Sequence, residues 1–338
     1  MRLSAVDVYR CPETGQALRL AAGAVISRGD ITEGVLVSAG GKEYRVKDGV
    51  PDFTFPATLM ENDGFSRREY DAAAEEYNSL QHVTFDILCH DEKKFREEMI
   101  GLMRIKEGDR VLETAAGTGL NLPYIFTELK NSGEVYVQDI SPGMLSVCGA
   151  VAGQRDDVGC ERSVGNAAYL PFPDNYFDSA LSFGGIGVFA EQEKAIREMV
   201  RVVKPGGRIV FGDEGVGPWL KSSTYGKILI DNNRYYDDEA PIRLLPVEAR
   251  DVAVRWVLGG GFYLMDFSVG EGEPEANFAY PIPGKRGGTL LTRYYGKLEG
   301  VSPATKELAQ KARDKSGKSM HQWLEEAIRL AAERDLKA

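Results

Sequence analysis

The chain has 338 residues, of which 43% are hydrophobic, and a formal net charge of −10 at pH 7. This length predicts two or three folded units, at roughly 100–200 residues for each domain. The acidic balance argues against a protein that works mainly by binding nucleic acid, because affinity for phosphate backbones comes from clustered lysine and arginine. We therefore expect a small or apolar partner rather than nucleic acid.

The sequence has no stretch of about 18 uncharged apolar residues, and its first residues hold no apolar run long enough for a signal peptide. We expect a cytoplasmic protein without a membrane span. The cysteines lie far apart, in no spacing typical of a zinc site or of a disulfide framework, so we expect buried free thiols. They are Cys11, Cys89, Cys148 and Cys160.

Residues 1–56 are predicted to form a small β-rich unit, because alternating segments at 35–37 and 42–46 flank a Gly-Gly turn. Cys11-Pro and the phrase from Tyr44 to Pro51 resemble small zinc-ribbon domains found in, or partnered with, some RNA methyltransferases. Here Thr14 and a Ser-Ala-Gly-Gly loop replace the further ligands, so Cys11 alone cannot complete a tetrahedral zinc site. We expect a domain without metal that packs against the rest or shapes a substrate entrance.

Residues 57–105 are predicted to form a helical cap. Tyr70 and Tyr77 are seven residues apart and share one helix face. Their pattern, Y-D-x-x-A-x-x-Y, resembles the cap helix of ubiquinone- and menaquinone-type C-methyltransferases, in which a tyrosine closes over the cofactor. The resemblance implies contact with a cofactor, whereas the residues alone would fit core anchors equally well. His82 and His90, in the same cap, are candidate general bases.

The segment Arg110–Leu120 reads as a buried strand, a glycine turn and the start of a helix. It resembles motif I of the class I S-adenosylmethionine-dependent methyltransferases, D/E-x-G-x-G-x-G, with one glycine replaced. The resemblance implies S-adenosylmethionine as cofactor and a Rossmann-like α/β fold, with seven mostly parallel strands and an antiparallel last strand. The cofactor-binding residues that it implies in this segment are Glu113, Ala115 (in place of the first glycine), Gly117 and Gly119.

The second strand of this domain is predicted at Glu134–Asp139, followed by a helix with Ser141 as its N-cap. Asp139 lies about 20 residues beyond the glycine turn, the spacing of a carboxylate that accepts hydrogen bonds from a ribose diol. The alternative is an Asx-type helix cap. The resemblance further implies that Ile140 and Met144 pack on the adenine.

The phrase after the third strand, Gly165 to Asp178, resembles the family's G-D-A-x-x-L-P-F-x-x-x-x-F-D. Asn166 replaces the usual aspartate, and we expect its carbonyl oxygen to accept from the adenine amino group. Ala167, with Ser182 and Phe183 at the end of the fourth strand, completes the implied cofactor site.

Glu214 follows the fifth strand and is a third candidate catalytic residue, able to orient the acceptor or remove its proton. Residues 213–246 form a connection longer than routine ones and rich in aromatic residues, which we interpret as a lid. A helix at 247–258 and strands at 262–269 and 289–298 are expected to close the sheet. The cofactor-binding domain would then span 106–300.

Residues 301–338 are predicted to form a two-helix tail that resembles ribbon-helix-helix proteins, which dimerise and bind DNA. Its apolar stripe needs a partner surface, either the main domain or a second copy of the chain. A strand at 289–298 that belongs to the main sheet could not enter a DNA groove. We therefore expect no sequence-specific DNA affinity and keep homodimerisation open.

The resemblance to the methyltransferases and the aromatic lid together predict methyl transfer from S-adenosylmethionine to a small organic acceptor. We expect this acceptor to be aromatic, phenolic or prenyl-like. The first alternative is an RNA base methyltransferase, which the N-terminal resemblance favours and the acidic balance disfavours. The second alternative is a cofactor-sensing, DNA-binding regulator that uses the tail.

Overall fold

The computed structural model describes residues 1–153, 158–284, 287–295 and 301–337. The chain folds as two compact units, Met1–Pro274 and Glu275–Ala338. The first unit therefore ends before the boundary that we expected at residue 300, because the main sheet is completed earlier in the chain than predicted.

The first 51 residues form a small sheet in the order β1-β3-β4-β5, with β2 paired to β3. Buried and exposed residues alternate most regularly in β4, where Tyr44 and Val46 are buried and their neighbours exposed. This is expected for a strand with one face on a core. The strands are β1 (Leu18–Leu20), β2 (Val25–Ser27), β3 (Asp30–Ser38), β4 (Glu43–Lys47) and β5 (Val50–Pro51).

Helices make up the predicted cap, and the rest of the first unit contains the predicted α/β domain. The cap helices are α1 (Glu61–Ala73), α2 (Tyr77–Ile87) and α3 (Glu92–Gly101). The strands that follow are β6 (Arg110–Thr114), β7 (Glu134–Asp139), β8 (Gly159–Val164), β9 (Phe177–Phe183), β10 (Val203–Glu214), β11 (Ala249–Val257) and β12 (Phe262–Val269). The helices between them are α4 (Leu122–Leu129), α5 (Pro142–Ala152), α6 (Gln192–Val202) and α7 (Thr224–Asn232).

In the described residues the main sheet has seven strands, in the order β11-β12-β10-β9-β6-β7-β8. The pairs from β10 to β8 are parallel, whereas β12 runs antiparallel to both β10 and β11. The predicted fold class, a mostly parallel Rossmann-like sheet with an antiparallel last strand, is confirmed. All the parallel strands end at the same edge, where open α/β sheets bind ligands.

Two hydrophobic cores lie on the two faces of this sheet, because successive residues of each strand point to opposite sides. Val111 packs in one core with α4 and α5, while its neighbour Leu112 packs in the other with α6. The second core also contains Tyr9 and Phe53 from the N-terminal sheet. The N-terminal sheet therefore covers one face of the main sheet.

Aromatic contacts and a backbone hydrogen bond fix this packing. The ring of Tyr9 lies 4.7 Å from that of Phe53 and 5.6 Å from that of Phe172. The Phe53 N–H donates to the carbonyl of Val164, at the end of β8, over 2.8 Å. Cys11 is buried in the same core with its Sγ 3.0 Å from the hydroxyl of Tyr44. Its thiol is thus a packed part of the domain.

Two predicted elements near the end of the domain are wrong. Residues 249–257 form strand β11 instead of a helix, and alternating Val252, Val254 and Trp256 provide the period of two that suits a strand. Residues 290–295 form helix α8 (Leu290–Tyr295) instead of a strand, and 296–298 lie outside the described residues. The antiparallel hairpin that closes the sheet is therefore β11–β12, which turns at Leu258–Gly260.

The second unit contains α8 and the two predicted tail helices, α9 (Pro303–Ser316) and α10 (Met320–Lys337). Ser302 caps α9 by accepting from the Thr305 N–H over 3.3 Å, and Gly317 ends it at a φ of 65°. The described part of this unit has no strand, so the argument that a sheet strand prevents DNA binding does not hold. The absence of DNA affinity and the homodimer both stay predictions. None of the described helices is long and apolar enough to cross a membrane.

Candidate active site

A cavity of about 330 Å³ lies at the carboxyl edge of the main sheet, within the first unit. Small-molecule sites commonly measure roughly 300–1,000 Å³, so this cavity lies at the lower end of that range. Most of the residues singled out from the sequence line it: Tyr70, Tyr77, Ala115, Gly117, Asp139, Ile140, Met144, Asn166, Ala167, Phe183 and Glu214.

The other five lie outside the lining. Gly119 and Ser182 are next to lining residues in the chain, and Glu113 hydrogen-bonds to the lining residue Asn121, but none of the three reaches the cavity. His82 is 60% exposed and its Nε2 lies 3.9 Å from Asp86, while the exposed His90 places its Nδ1 2.6 Å from the Leu88 carbonyl. Neither imidazole belongs to the cavity lining, so the geometry gives no support to either histidine as general base.

The glycine turn after β6 forms one wall of the cavity. Gly117 has a φ of 54°, and a Cβ there would meet no atom within 4 Å, so its backbone is open to a ligand. At Gly119 a Cβ would lie 2.8 Å from the Sγ of Cys148 on α5. Gly117 thus leaves space for the ligand, and Gly119 allows the turn to pack on a helix.

Ala115 replaces the first glycine of the turn and adopts a φ of 51°, in the left-handed region. Its methyl group is accommodated by a glycine opposite, since a Cβ at Gly185 would lie 2.4 Å from the Ala115 Cβ. The close approach of these two backbones explains how the turn tolerates an alanine.

Ala115→Gly is expected to raise the free energy of unfolding by up to about 1 kcal/mol. An alanine in the left-handed conformation costs roughly 1–2 kcal/mol, which a glycine avoids. The glycine also makes the unfolded chain more flexible, and this offsets about 0.4–1 kcal/mol of the gain in stability. Ala116→Gly, next to it and not at positive φ, should lower stability instead. Urea denaturation of both variants tests the difference, and equal losses would show that Ala115 is not strained.

Asp139 ends β7 and connects two backbone segments of the cavity. Its Oδ2 accepts from the Gly117 N–H over 2.8 Å, and its Oδ1 accepts from the Ser141 N–H over 2.9 Å. The side chain therefore closes an Asx turn just before Ser141, the N-cap of α5, and also braces the glycine turn. Burial raises the pKa of Asp139 to about 6, although the amide hydrogen bonds oppose that shift. A ligand that donates to this carboxylate would stabilise its charged form.

A buried polar network lies beneath the turn. The Asn121 Nδ2 donates to Glu113 Oε1 over 2.7 Å, and Arg96 Nη1 donates to Asn121 Oδ1 over 2.6 Å. The second oxygen of Glu113 has no hydrogen-bond partner in the described part of the chain. Arg96 and Asn121 line the cavity, so the network connects the buried carboxyl with the ligand space. Sequence reasoning missed Arg96, because it lies in a charge-rich helix typical of an exposed face.

The ionisation of Glu113 should make stability depend on pH. Burial raises its pKa from 4.5 to about 7, so the neutral form is favoured in the folded protein. The contribution of Glu113 to the free energy of unfolding should then be greatest at low pH. It should fall as the pH rises from about 4.5 to 7. Glu113→Gln should remove that slope and stabilise the protein by roughly 1–3 kcal/mol above pH 7.

Urea denaturation without ligand, near pH 4 and near pH 8, measures this difference. The two proteins should be similarly stable at the lower pH, where the carboxyl group is protonated. The exposed Glu128→Gln serves as the matched control. A variant that is less stable than the wild type at the higher pH would contradict the expectation.

Asn166 differs from its predicted geometry. Its Oδ1 accepts from the Ala168 N–H over 2.9 Å, and its Nδ2 donates to the Oδ2 of Asp63 over 2.9 Å. The carbonyl oxygen therefore faces the backbone rather than standing free for an adenine amino group. Asp63, in the first turn of α1, lines the same part of the cavity and was not singled out from the sequence.

The other side of the cavity carries a pair of acids and several aromatic rings. Asp213 Oδ2 accepts from the Gly187 N–H over 2.6 Å, and burial together with the neighbouring Glu214 raises the pKa of Asp213 well above its ordinary value. Glu214 is half-buried and lines the cavity. The aromatic lining residues here are Phe85, Phe183, Tyr235 and Phe262. Of these, Tyr235 belongs to the predicted lid, 213–246.

The sequence matches the methyltransferase domain family over residues 112–211. Residues 112–211 form a class I S-adenosylmethionine-dependent methyltransferase domain. The ubiquinone/menaquinone biosynthesis C-methyltransferase UbiE of Francisella tularensis subsp. novicida (strain U112) is 38% identical over 118 residues, which cover 34% of this chain and 47% of that one. UbiE of Yersinia pestis (strain Pestoides F) is 40% identical over 126 residues, covering 35% and 46%. The chain thus spans about half the length of the curated relatives it matches.

Among solved structures, the chain is similar in fold to the phosphoethanolamine N-methyltransferase 2 of Haemonchus contortus in complex with S-adenosyl-L-methionine. That match has a TM-score of 0.47 and 15% sequence identity, and covers 65% of this chain and 62% of the other.

The cavity of the methyltransferase domain fits the chemistry of S-adenosylmethionine. The charged lining residues of the described chain are four carboxylates, Asp63, Asp139, Asp213 and Glu214, and one cation, Arg96. Gln138 also lines the cavity, and neither atom of its amide has a hydrogen-bond partner among the described residues. Such a wall suits a ligand with a cationic centre, hydroxyl and amino donors, and one carboxylate for the arginine.

Proposed function

We propose that this protein transfers the methyl group of S-adenosylmethionine to a small organic acceptor with an aromatic, phenolic or prenyl-like body. The observation that carries the proposal is the division of one cavity into two walls. The glycine turn and Asp139 form a polar wall suited to the cofactor, and the rings of Phe85, Tyr235 and Phe262 form an apolar wall that includes Glu214, the cross-strand neighbour of Phe262.

Each wall has a separate task in the proposed reaction. When bound, S-adenosylmethionine supplies an electrophilic methyl group, so the protein mainly has to align the acceptor and exclude water. The aromatic wall holds the acceptor and keeps the space dry. Glu214, at the end of β10, accepts the proton that the acceptor hydroxyl releases. Arg96 pairs with the carboxylate of the cofactor's amino-acid end, and Asp139 accepts from its ribose hydroxyls.

The relatives narrow the choice of acceptor to be tested first. The two UbiE proteins are C-methyltransferases of ubiquinone and menaquinone biosynthesis. By analogy we propose a ring carbon of a hydroquinone-type compound as the methylated atom. Removal of a phenolic proton by Glu214 would raise the electron density at the neighbouring ring carbon, which is the nucleophile in such a transfer. That carbon would bond to the methyl group as the sulfur–methyl bond breaks, and would then lose its own hydrogen as a proton to restore the aromatic ring.

The proposal is tested by incubating the purified full chain with methyl-labelled S-adenosylmethionine and fractionated cell extract. We expect label in small molecules that extract into organic solvent, and none with heat-denatured protein. Label that enters only RNA would overturn the small-molecule acceptor and support the RNA alternative. Hydroquinones with and without a prenyl chain, added singly, then identify which part of the acceptor the aromatic wall recognises.

A further inference from the structure

Asp63 is a buried carboxylate without a cationic partner. It is 4% exposed, although it lies in the first turn of a cap helix, α1. Its Oδ1 accepts from the Ala190 N–H over 3.0 Å, and its Oδ2 accepts from Asn166 Nδ2 over 2.9 Å. No ion pair joins Asp63 to any residue that the structure describes. Burial of a carboxylate among neutral donors is costly, and it raises the pKa of Asp63.

Both oxygens of Asp63 keep a lone pair for a further donor, because an ionised carboxylate accepts about four hydrogen bonds. The residue lines the cavity next to its hydrogen-bond partner Asn166, and Ala167, Ile140 and Met144 belong to the same lining. These neighbours are apolar or, in the case of Asn166, have both amide atoms already engaged. Asp63 therefore adds a charged acceptor beside the neutral carbonyl oxygen of Asn166.

We propose that Asp63, supplied by the helical cap, is the residue that accepts a hydrogen bond from the exocyclic amino group of the cofactor's adenine. The inference rests on the proposed function, which makes S-adenosylmethionine the ligand. Asn166 then acts as a positioning residue, because its amide connects the carboxylate to the Ala168 backbone. The acidic acceptor thus sits on the cap, instead of on the loop after β8.

The position of Asp63 also connects adenine recognition with the cap. Asp71, farther along α1, accepts from the Gly143 N–H over 2.8 Å at the start of α5. The helix is therefore fixed at one end to α5 and at the other to Asn166 and Ala190, on two loops that border the cavity. The adenine amino group adds a third hydrogen bond to Asp63, beside those from Asn166 and Ala190. The bound cofactor and the docked cap helix therefore stabilise each other.

The test compares two ligands that differ only at the amino group. S-adenosylhomocysteine carries the amino group, and its purine-riboside analogue carries a hydrogen atom there, which leaves the carboxylate without a donor. Isothermal titration calorimetry of the full wild-type chain should show about tenfold to hundredfold tighter binding of the adenosyl ligand, as expected for one charge-assisted hydrogen bond. Asp63→Asn should lose most of that preference.

A reciprocal variant, Asp63→Asn with Asn166→Asp, keeps the hydrogen bonds within the protein. The asparagine at 63 can accept from the Ala190 N–H and donate to a carboxylate at 166, which still accepts from the Ala168 N–H. This double variant should fold and should recover the preference for the adenosyl ligand. Asp71→Asn is the control on the same helix, and should change the affinity for both ligands equally.

The outcomes separate the two proposals. If the wild type binds neither ligand, the cofactor assignment itself fails. If the wild type binds both with equal affinity, or if Asp63→Asn keeps the preference, the role of Asp63 is wrong while the methyltransferase proposal stands. An equal loss of both ligands in Asp63→Asn, without recovery in the double variant, would make Asp63 a structural residue and also overturn the inference.

Discussion

Glu214→Gln is expected to lower kcat by about 10²–10⁴-fold, the usual contribution of a general base. Glutamine keeps the shape of the side chain but cannot accept a proton from the acceptor hydroxyl. Binding of the cofactor should change little, because Glu214 lies on the aromatic side of the cavity. The measurement pairs steady-state kinetics on a phenolic acceptor with calorimetric affinity for S-adenosylhomocysteine.

A pH series distinguishes proton removal from simple positioning. A phenolic hydroxyl ionises near pH 10, so the activity of the glutamine variant should rise toward high pH, where the acceptor loses its proton without help. The control is Asp237→Asn, which changes a lid carboxylate that is 62% exposed and paired with Lys221. A rate within about threefold of the wild type, or a loss that is the same at every pH, would exclude the base role.

Asp139→Ala should weaken binding of S-adenosylhomocysteine by about a hundredfold. The carboxylate accepts from the Gly117 and Ser141 amides, and a hydrogen bond to a charged group contributes roughly 1.5–3 kcal/mol. Its removal releases the glycine turn and deletes the proposed partner of the ribose hydroxyls. Calorimetry at neutral pH measures the loss, and an unchanged affinity would remove Asp139 from the cofactor site.

The wild-type affinity should also depend on pH through this residue. The pKa of Asp139 is raised to about 6, and ligand hydroxyls favour its charged form, so affinity should fall as pH drops below that value. The Ala variant should lack this dependence. Ser141→Ala is the matched control, since it removes the N-cap of α5 without removing a charge.

The glycine turn, the strands around it and the fold class could be predicted because their signals are local. Val111 and Leu112 mark a buried strand, and the glycines that follow it permit a conformation that few other residues adopt. Asp139 was found by its spacing from that turn. Such signals depend only on neighbours in the chain, so they survive without knowledge of the tertiary structure.

The positions of Asp63 and Arg96 could not be predicted, because each depends on how the cap helices dock. Both lie in helices with many charged residues, where a charge usually faces solvent. Strand β11 was missed for a related reason. Its alternating residues span too short a stretch to separate a strand from a helix by period alone, and its pairing with β12 is visible only in the folded chain. His82 and His90 were singled out by residue type, which says nothing about the direction of a side chain.

The contact between the N-terminal sheet and β8 has a consequence for solubility. β8 is the outermost strand of the main sheet, and an outermost strand with free amides and carbonyls is a template for intermolecular pairing. Asp52 forms a parallel bridge with Val164, and the Phe53 N–H donates to the Val164 carbonyl. The Arg2 side chain donates to Glu161 on the same strand. The N-terminal sheet thereby shields this border of the sheet and the aromatic core beneath it. A catalytic domain that lacks the first 56 residues would expose the edge of β8 and this aromatic core to other molecules, and we expect it to aggregate.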